Sequence, residues 1–139
     1  MYILCKKGDD IAVLNLKGDI KTNFGHIYIF QIPSIGDGGS RNVDLVNIKK
    51  LLDEKSPDRL GLMGTSAKVV ARKIGMDSHY DVDVIQSSIS AALRSLDVAI
   101  LTTGKMADRA IKKINENNLC YNRDIKCDYY TIPKKEEIK

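Results

Sequence analysis

A short segment that occurs twice most constrains how this chain of 139 residues can fold. The first copy, residues 59–74, reads RLGLMGTSAKVVARKI, and the second, residues 98–114, reads VAILTTGKMADRAIKKI. An alignment without gaps places Gly64 on Gly104 and Ile74 on Ile114. Each copy is an apolar run, a glycine turn and then apolar residues at helical spacing. This is the pattern of a parallel β-α unit.

The remaining apolar runs complete an alternation of strands and helices. Three runs near the N-terminus, over residues 2–5, 11–16 and 26–32, are separated by Gly-Asp turns typical of hairpins. Periodicity predicts helices over residues 43–54, 66–74, 81–96 and 105–117, and strands over 59–63, 98–103 and 125–132. We therefore predict an α/β fold with one mixed sheet. Antiparallel N-terminal strands precede parallel β-α units, and helices pack on the sheet.

The length of the chain suits one domain. We expect that domain to span residues 1–133, with a β-rich part over 1–32 and a β-α part over 42–132. Residues 134–139 form a charged tail. The alternative is that the N-terminal strands form a small separate β-subdomain.

The amino-acid composition argues against some classes of binding partner. The net charge is +4, and the Lys and Arg residues are spread along predicted helices and turns. Nucleic acid is not an expected partner, because proteins that bind it concentrate these residues on one face. No apolar run approaches the roughly 20 residues that span a bilayer, and no signal peptide is visible. Three cysteines without framework spacing suit a reducing compartment. We therefore expect a cytoplasmic protein with no membrane partner.

The two glycine turns are the main candidate site. Helix N-termini offer unpaired N–H groups to an anion, and right-handed crossovers bring both turns to one sheet edge. The predicted ligand-binding residues there are Gly64, Thr65, Ser66, Thr102, Thr103, Gly104 and Lys105. Alternatively, the hydroxyl groups only cap their helices. Neither turn has the G-x-x-x-x-G-K-[ST] or G-x-G-x-x-G pattern, which disfavours a nucleoside triphosphatase or a standard dinucleotide enzyme.

A glycine-rich loop over residues 36–41 is the second candidate site. Ser40 and Arg41 could close over a bound anion, and Asp37 could transfer a proton. His79 lies among three aspartates in sequence, so it is the second candidate for proton transfer. Alternatively, the loop is an ordinary connector between a strand and a helix, and the aspartates near His79 only cap helices. Whether the protein is an enzyme therefore stays open.

Metal and DNA sites are weakly indicated. Cys120 and Cys127 lack the paired spacing of zinc ligands, so we predict no metal site. The sequence leaves any cofactor unknown. Residues 66–96 resemble a helix-turn-helix in their element pattern. However, the second helix carries no Lys or Arg before Arg94, whereas recognition helices place such donors early.

These observations rank three functions. The first is binding of a small anionic metabolite, phosphorylated or nucleotide-like, at the paired glycine turns. The second is a non-catalytic interaction or assembly module that forms a homodimer. The third is nucleic-acid binding through residues 66–96.

Overall fold

The computed structural model describes residues 2–7, 10–15, 24–34, 43–76 and 83–134. Its strands are β1 (Tyr2–Lys7), β2 (Asp10–Asn15), β3 (His26–Ile32), β4 (Arg59–Met63), β5 (Val98–Thr103) and β6 (Lys126–Thr131). Its helices are α1 (Leu45–Lys55), α2 (Thr65–Lys73), α3 (Val84–Leu93) and α4 (Gly104–Tyr121). Their order along the chain is the predicted one. The boundaries shift by a few residues, most at α3, which is shorter than predicted, and at α4, which is longer.

The main sheet is entirely parallel, with the strand order β4-β5-β3-β6. The prediction of a mixed sheet is therefore wrong. β3 pairs in parallel with β5 and β6, whereas β1 and β2 pair only with each other in a separate two-stranded sheet. Ile27 and Ile29 are buried on one face of β3, and Phe30 and Ile32 on the other. A strand that is apolar on both faces needs cover on both sides, which a central place in a parallel sheet provides.

Helices cover both faces of this sheet and produce two hydrophobic cores. On one face α1 and α2 contribute Ile48, Leu52 and Val70. On the other face α3 and α4 contribute Ile89 and Ile114. A helix-turn-helix requires its two helices to pack against each other. Since α2 and α3 lie on opposite faces of the sheet, the predicted helix-turn-helix over residues 66–96 is wrong.

The two copies of the repeat are confirmed as parallel strand–turn–helix units, but their helices take opposite faces. The alignment pairs Gly64 with Gly104, a separation of 40 residues, whereas the sheet pairs Met63 with Thr102, a separation of 39. Side chains alternate between faces along a strand, so an offset of one residue moves equivalent positions to opposite faces. Accordingly, Ile74 belongs to the core under α2, and Ile114 to the core under α4.

This arrangement creates a crevice at the carboxyl ends of β4 and β5. The helix that follows β4 packs on one face, and the helix that follows β5 packs on the other. Such a change of side between neighbouring strands is where open α/β sheets most often bind ligands. No helix in the described part of the chain is both long and apolar enough to cross a bilayer.

Candidate functional site

The two glycine turns lie side by side at the carboxyl edge of the sheet. A Cβ atom placed on Gly64 would be 3.6 Å from Met106 Sδ and 4.0 Å from Thr103 Oγ1. Gly64 caps α2 with a φ of 96°, which other residues adopt only with strain. Gly104 is the exposed first residue of α4, and the position of its missing side chain is open. The backbone at both turns is therefore close to the same crevice.

The hydroxyl groups of the turns differ in access. Thr65 is exposed, and Thr103 and Ser66 are half-buried, Ser66 with a bonding partner. Thr102 is fully buried, and its Oγ1 lies 3.5 Å from the backbone oxygen of Thr103, so protein encloses this hydroxyl. Lys105 is the second residue of α4, but its side chain lies outside the part of the chain that the structure describes.

The remaining predicted residues cannot be placed relative to this edge. Asp37, Ser40, Arg41 and His79 all lie outside the described residues. Their roles in closing over an anion or moving a proton therefore stay predictions.

A cavity of about 520 Å³ opens between α3 and α4, beside the Gly64 turn. Its volume lies within the range of small-molecule sites. Gly64 and Met106 contribute to the rim near the sheet edge, whereas Gly104 and the threonines do not line it. Only one of the two predicted turns therefore faces this cavity.

Among the residues that the structure describes, three cationic side chains line the cavity. Lys68 comes from α2, and Arg109 and Lys113 are one turn apart on α4. Two carboxylates, Asp83 and Glu116, also line it, so the charged side chains sum to +1 (three minus two). Neither Arg109 nor Lys113 forms an ion pair with another residue of the described chain, whereas Lys68 does have an interaction partner. The two α4 cations are thus available to an anion in the cavity.

Apolar side chains form the remaining wall of the cavity. This wall contains two methionines, Met63 at the end of β4 and Met106 of α4. It also contains Val84 and Ile85 from the first turn of α3. The flexible thioether side chains of methionine adapt to flat or irregular apolar groups. The cavity can therefore accept a ligand that joins an apolar body to an anionic group.

Sequence reasoning did not identify Arg109 and Lys113. They share a stripe of α4 with Met106, at spacings of three and four residues, next to the buried stripe of Ala107, Ala110 and Ile114. The only signal was this second stripe, which also fits an ordinary solvated helix face.

A cluster of polar and aromatic side chains lies on the other face of the sheet, along β3 and β6. His26 Nε2 is 2.9 Å from Asp128 Oδ2 but makes no well-directed hydrogen bond. The ring of His26 stacks on Tyr28, with 4.3 Å between centroids. Lys55 Nζ lies 5.3 Å from the ring centroids of both Tyr28 and Tyr130.

The pKa shifts in this cluster arise from burial and from interactions between neighbouring side chains. Burial, followed by the charge of Asp97, raises the pKa of Tyr28. The hydrogen bond with Tyr130 is the main cause that raises the pKa of Lys55. Both groups therefore hold their protons near neutral pH. These contacts hold His26 in place at the start of β3.

The cysteines differ in state. Cys120 is disulfide-bonded, although the spacing of the cysteines did not indicate a disulfide framework. Cys127 is a free thiol whose pKa is raised to about 11, chiefly by burial and then by the charge of Asp128. Within the described residues, no group of three or more His, Cys, Asp or Glu side chains could hold a metal ion.

Comparison with known proteins identifies a family. A domain of unknown function, DUF7839, matches residues 21–122, so the chain belongs to this family. An uncharacterised protein of Methanocaldococcus jannaschii is 39% identical over 116 residues, which cover 84% of this chain and 44% of that protein. An energy-coupling factor transporter ATP-binding protein of Methanospirillum hungatei is 34% identical over 87 residues, which cover 60% of this chain and 22% of that protein. The chain thus spans less than half the length of these relatives. No solved structure matches it significantly.

Proposed function

We propose that this DUF7839 domain binds a small anionic ligand with an apolar body in the cavity between α3 and α4. The observation that carries the proposal is the convergence of Lys68, Arg109 and Lys113 on a cavity that begins at Gly64. The cavity also lies beside the carboxyl ends of parallel strands, where this class of fold places its ligands.

The cations give the site its preference for negative charge. Arg109 and Lys113 are successive members of one helix face, four residues apart, so their charged ends can reach the same anionic group. A guanidinium donates two parallel hydrogen bonds to a carboxylate or phosphate, and an ammonium adds a compact charge. A monophosphate or a carboxylate matches this pair.

The Gly64 turn adds backbone to the site. With no Cβ in the way, a ligand can approach the N-terminal end of α2, where the helix dipole favours negative charge. A substitution here would strain the positive φ and place atoms against Met106. Gly64 therefore lets a ligand approach the backbone of α2, and Arg109 and Lys113 of α4 provide the positive charge.

The proposal does not extend to ATP hydrolysis. One relative is named an ATP-binding protein, but the match covers 22% of it. This chain also lacks the phosphate-binding loop motif that cradles a triphosphate with its lysine. The proposed role is thus ligand binding, with no catalytic residue assigned.

A ligand panel measured by thermal shift tests the proposal. The panel contains nucleoside monophosphates, sugar phosphates, acyl phosphates and aromatic carboxylates, each with a neutral analogue. A ligand at a hundred times its Kd stabilises the folded state by about 2.7 kcal/mol. For a domain of this size this raises Tm by several degrees. Calorimetric titration then gives the Kd of each hit.

Two variants and a matched control locate the site. We expect Arg109→Gln and Lys113→Gln each to weaken binding about tenfold or more, because each removes a charge-assisted contact. Lys112→Gln removes an exposed lysine of the same helix that does not line the cavity, and should leave Kd unchanged. Absence of any hit, or equal effects of all three variants, would contradict the proposal.

A further inference from the structure

We propose that the outer edge of β6 pairs with β6 of a second copy of this chain, antiparallel and about a two-fold axis at Tyr129. β6 is the outermost strand of the parallel sheet, next to β3 alone. An unpaired strand edge offers a row of N–H and C=O groups to another strand. This inference is independent of ligand binding in the cavity.

The hydrogen bonds of β6 show which groups face outward. Ile132 N–H donates to the backbone oxygen of Gln31, so residue 132 is directed at β3. In a parallel pair, alternate residues direct both backbone groups to the same neighbour. The backbone groups of Cys127, Tyr129 and Thr131 therefore face away from β3. None of the three has a hydrogen-bond partner on that side within the described residues.

Asn118 limits where this free edge begins. Its side-chain amide accepts from Ile125 N–H at 3.1 Å and donates to the oxygen of Ile125 at 3.0 Å. Both outward groups of Ile125 are thus already satisfied by α4. Within the described residues, the free edge comprises Cys127, Tyr129 and Thr131, and its midpoint is Tyr129.

A two-fold axis at this midpoint satisfies the whole edge. Cys127 then lies opposite Thr131 of the other copy, and Tyr129 lies opposite its own equivalent. All three are hydrogen-bonded pairs, in which facing residues exchange both backbone bonds. An axis at Cys127 would instead direct Tyr129 at Ile125, whose groups Asn118 already occupies.

The side chains agree with this register. The partly exposed Tyr129 side chains meet on one face, and cross-strand aromatic pairs stabilise antiparallel strands. On the other face, the half-exposed carboxylate of Asp128 lies opposite Tyr130 of the other copy. Lys55 bonds to Tyr130, so a negative group meets a positive one on both sides of the axis.

Amide exchange resolved by residue, measured with sedimentation over micromolar to millimolar chain concentrations, tests the pairing in the wild-type chain. The N–H groups of Cys127, Tyr129 and Thr131 should exchange at least about tenfold more slowly at high concentration, as dimers form. The N–H groups of Asp128 and Tyr130 face β3, so they serve as internal controls and should be protected throughout.

A proline variant removes the central pair. Tyr129→Pro lacks the outward N–H, and an edge strand tolerates proline where its N–H faces solvent. We expect this variant to sediment as a monomer with an unchanged circular dichroism spectrum. Tyr129→Val keeps the N–H and strand propensity, and should remain a dimer. If Tyr129→Pro does not fold, the wild-type exchange data decide.

Three outcomes would overturn the proposal. The first is a wild-type monomer with rapidly exchanging outward amides at every concentration. The second is a dimer that Tyr129→Pro leaves intact. The third is protection of the outward amides in a chain that sediments as a monomer, because a segment of the same chain would then cover the edge.

Discussion

Substitution of Asn118 should destabilise the protein more than substitution of any neighbouring polar residue of α4. Its side-chain amide forms two hydrogen bonds to the backbone of Ile125, at 3.1 and 3.0 Å. Ile125 is 2% exposed, so little water reaches its backbone groups while the Asn118 side chain is in place. The Asn118 amide therefore stabilises the chain where it leaves α4 and enters β6.

The magnitude of the effect follows from the two bonds. Leaving a buried backbone group without a partner costs about 1–3 kcal/mol. Both bonds of Asn118 are part-buried, so about 1–2 kcal/mol applies to each of the two groups, and Asn118→Ala loses about 2–4 kcal/mol. Alanine favours the helix over asparagine by about 0.6 kcal/mol, which offsets part of this loss. The expected net decrease in the free energy of unfolding is about 2–3 kcal/mol. At this chain length the decrease corresponds to a fall in Tm of about 6–10 °C.

Urea denaturation of three variants measures the effect. Asn115→Ala is the matched control, because Asn115 is an exposed asparagine of the same helix. It should be stabilised by a few tenths of a kcal/mol through helix propensity alone. Asn118→Asp keeps the acceptor for Ile125 N–H but places an oxygen against the carbonyl, so an intermediate loss is expected. If Asn118→Ala and Asn115→Ala agreed within about 0.5 kcal/mol, the assigned role of the amide would be wrong.

Further predictions concern close backbone contacts, strand ends and the buried thiol. Gly25→Ala should cost more than about 3 kcal/mol in urea denaturation, because its Cβ would collide with the backbone oxygen of Leu96. Gly75→Ala meets no neighbouring atom and should cost only about 1 kcal/mol, from its φ of 77°. Asp97→Ala should cost about 1–2 kcal/mol, because the carboxylate accepts from His26 N–H at 2.8 Å. Cys127, with a pKa of about 11, should react with iodoacetamide at pH 8 about two orders of magnitude more slowly than an unperturbed thiol. The same raised pKa contributes stability that is fully present well below about pH 9, where the unfolded thiol titrates, and is lost as the pH rises from about 9 through about 11. Equal alkylation rates of native and urea-unfolded protein would contradict the burial of this thiol.

Local pattern was enough to identify the elements themselves. The apolar run, glycine turn and helical spacing around Gly64 and Gly104 predicted two parallel β-α units, and both are present. These signals lie within a few residues of each other, because turn chemistry and side-chain periodicity depend on local backbone geometry. The apolar character of both faces of β3 also pointed to a covered strand.

Tertiary structure alone decided how the elements combine. The Gly-Asp turns predicted that β3 would pair with its neighbours in the sequence, but β3 pairs with β5 instead. Local turn signals cannot show this, because strand pairing depends on contacts between residues far apart in sequence. A register offset of one residue sends α2 and α4 to opposite faces, although their sequences align. Arg109 and Lys113 became candidate ligand-binding residues only when α3 packed beside α4 and enclosed a cavity. Sequence specifies what each segment can bury, but the position of a cavity depends on which segments meet, since the same apolar stripe can be buried against many partners.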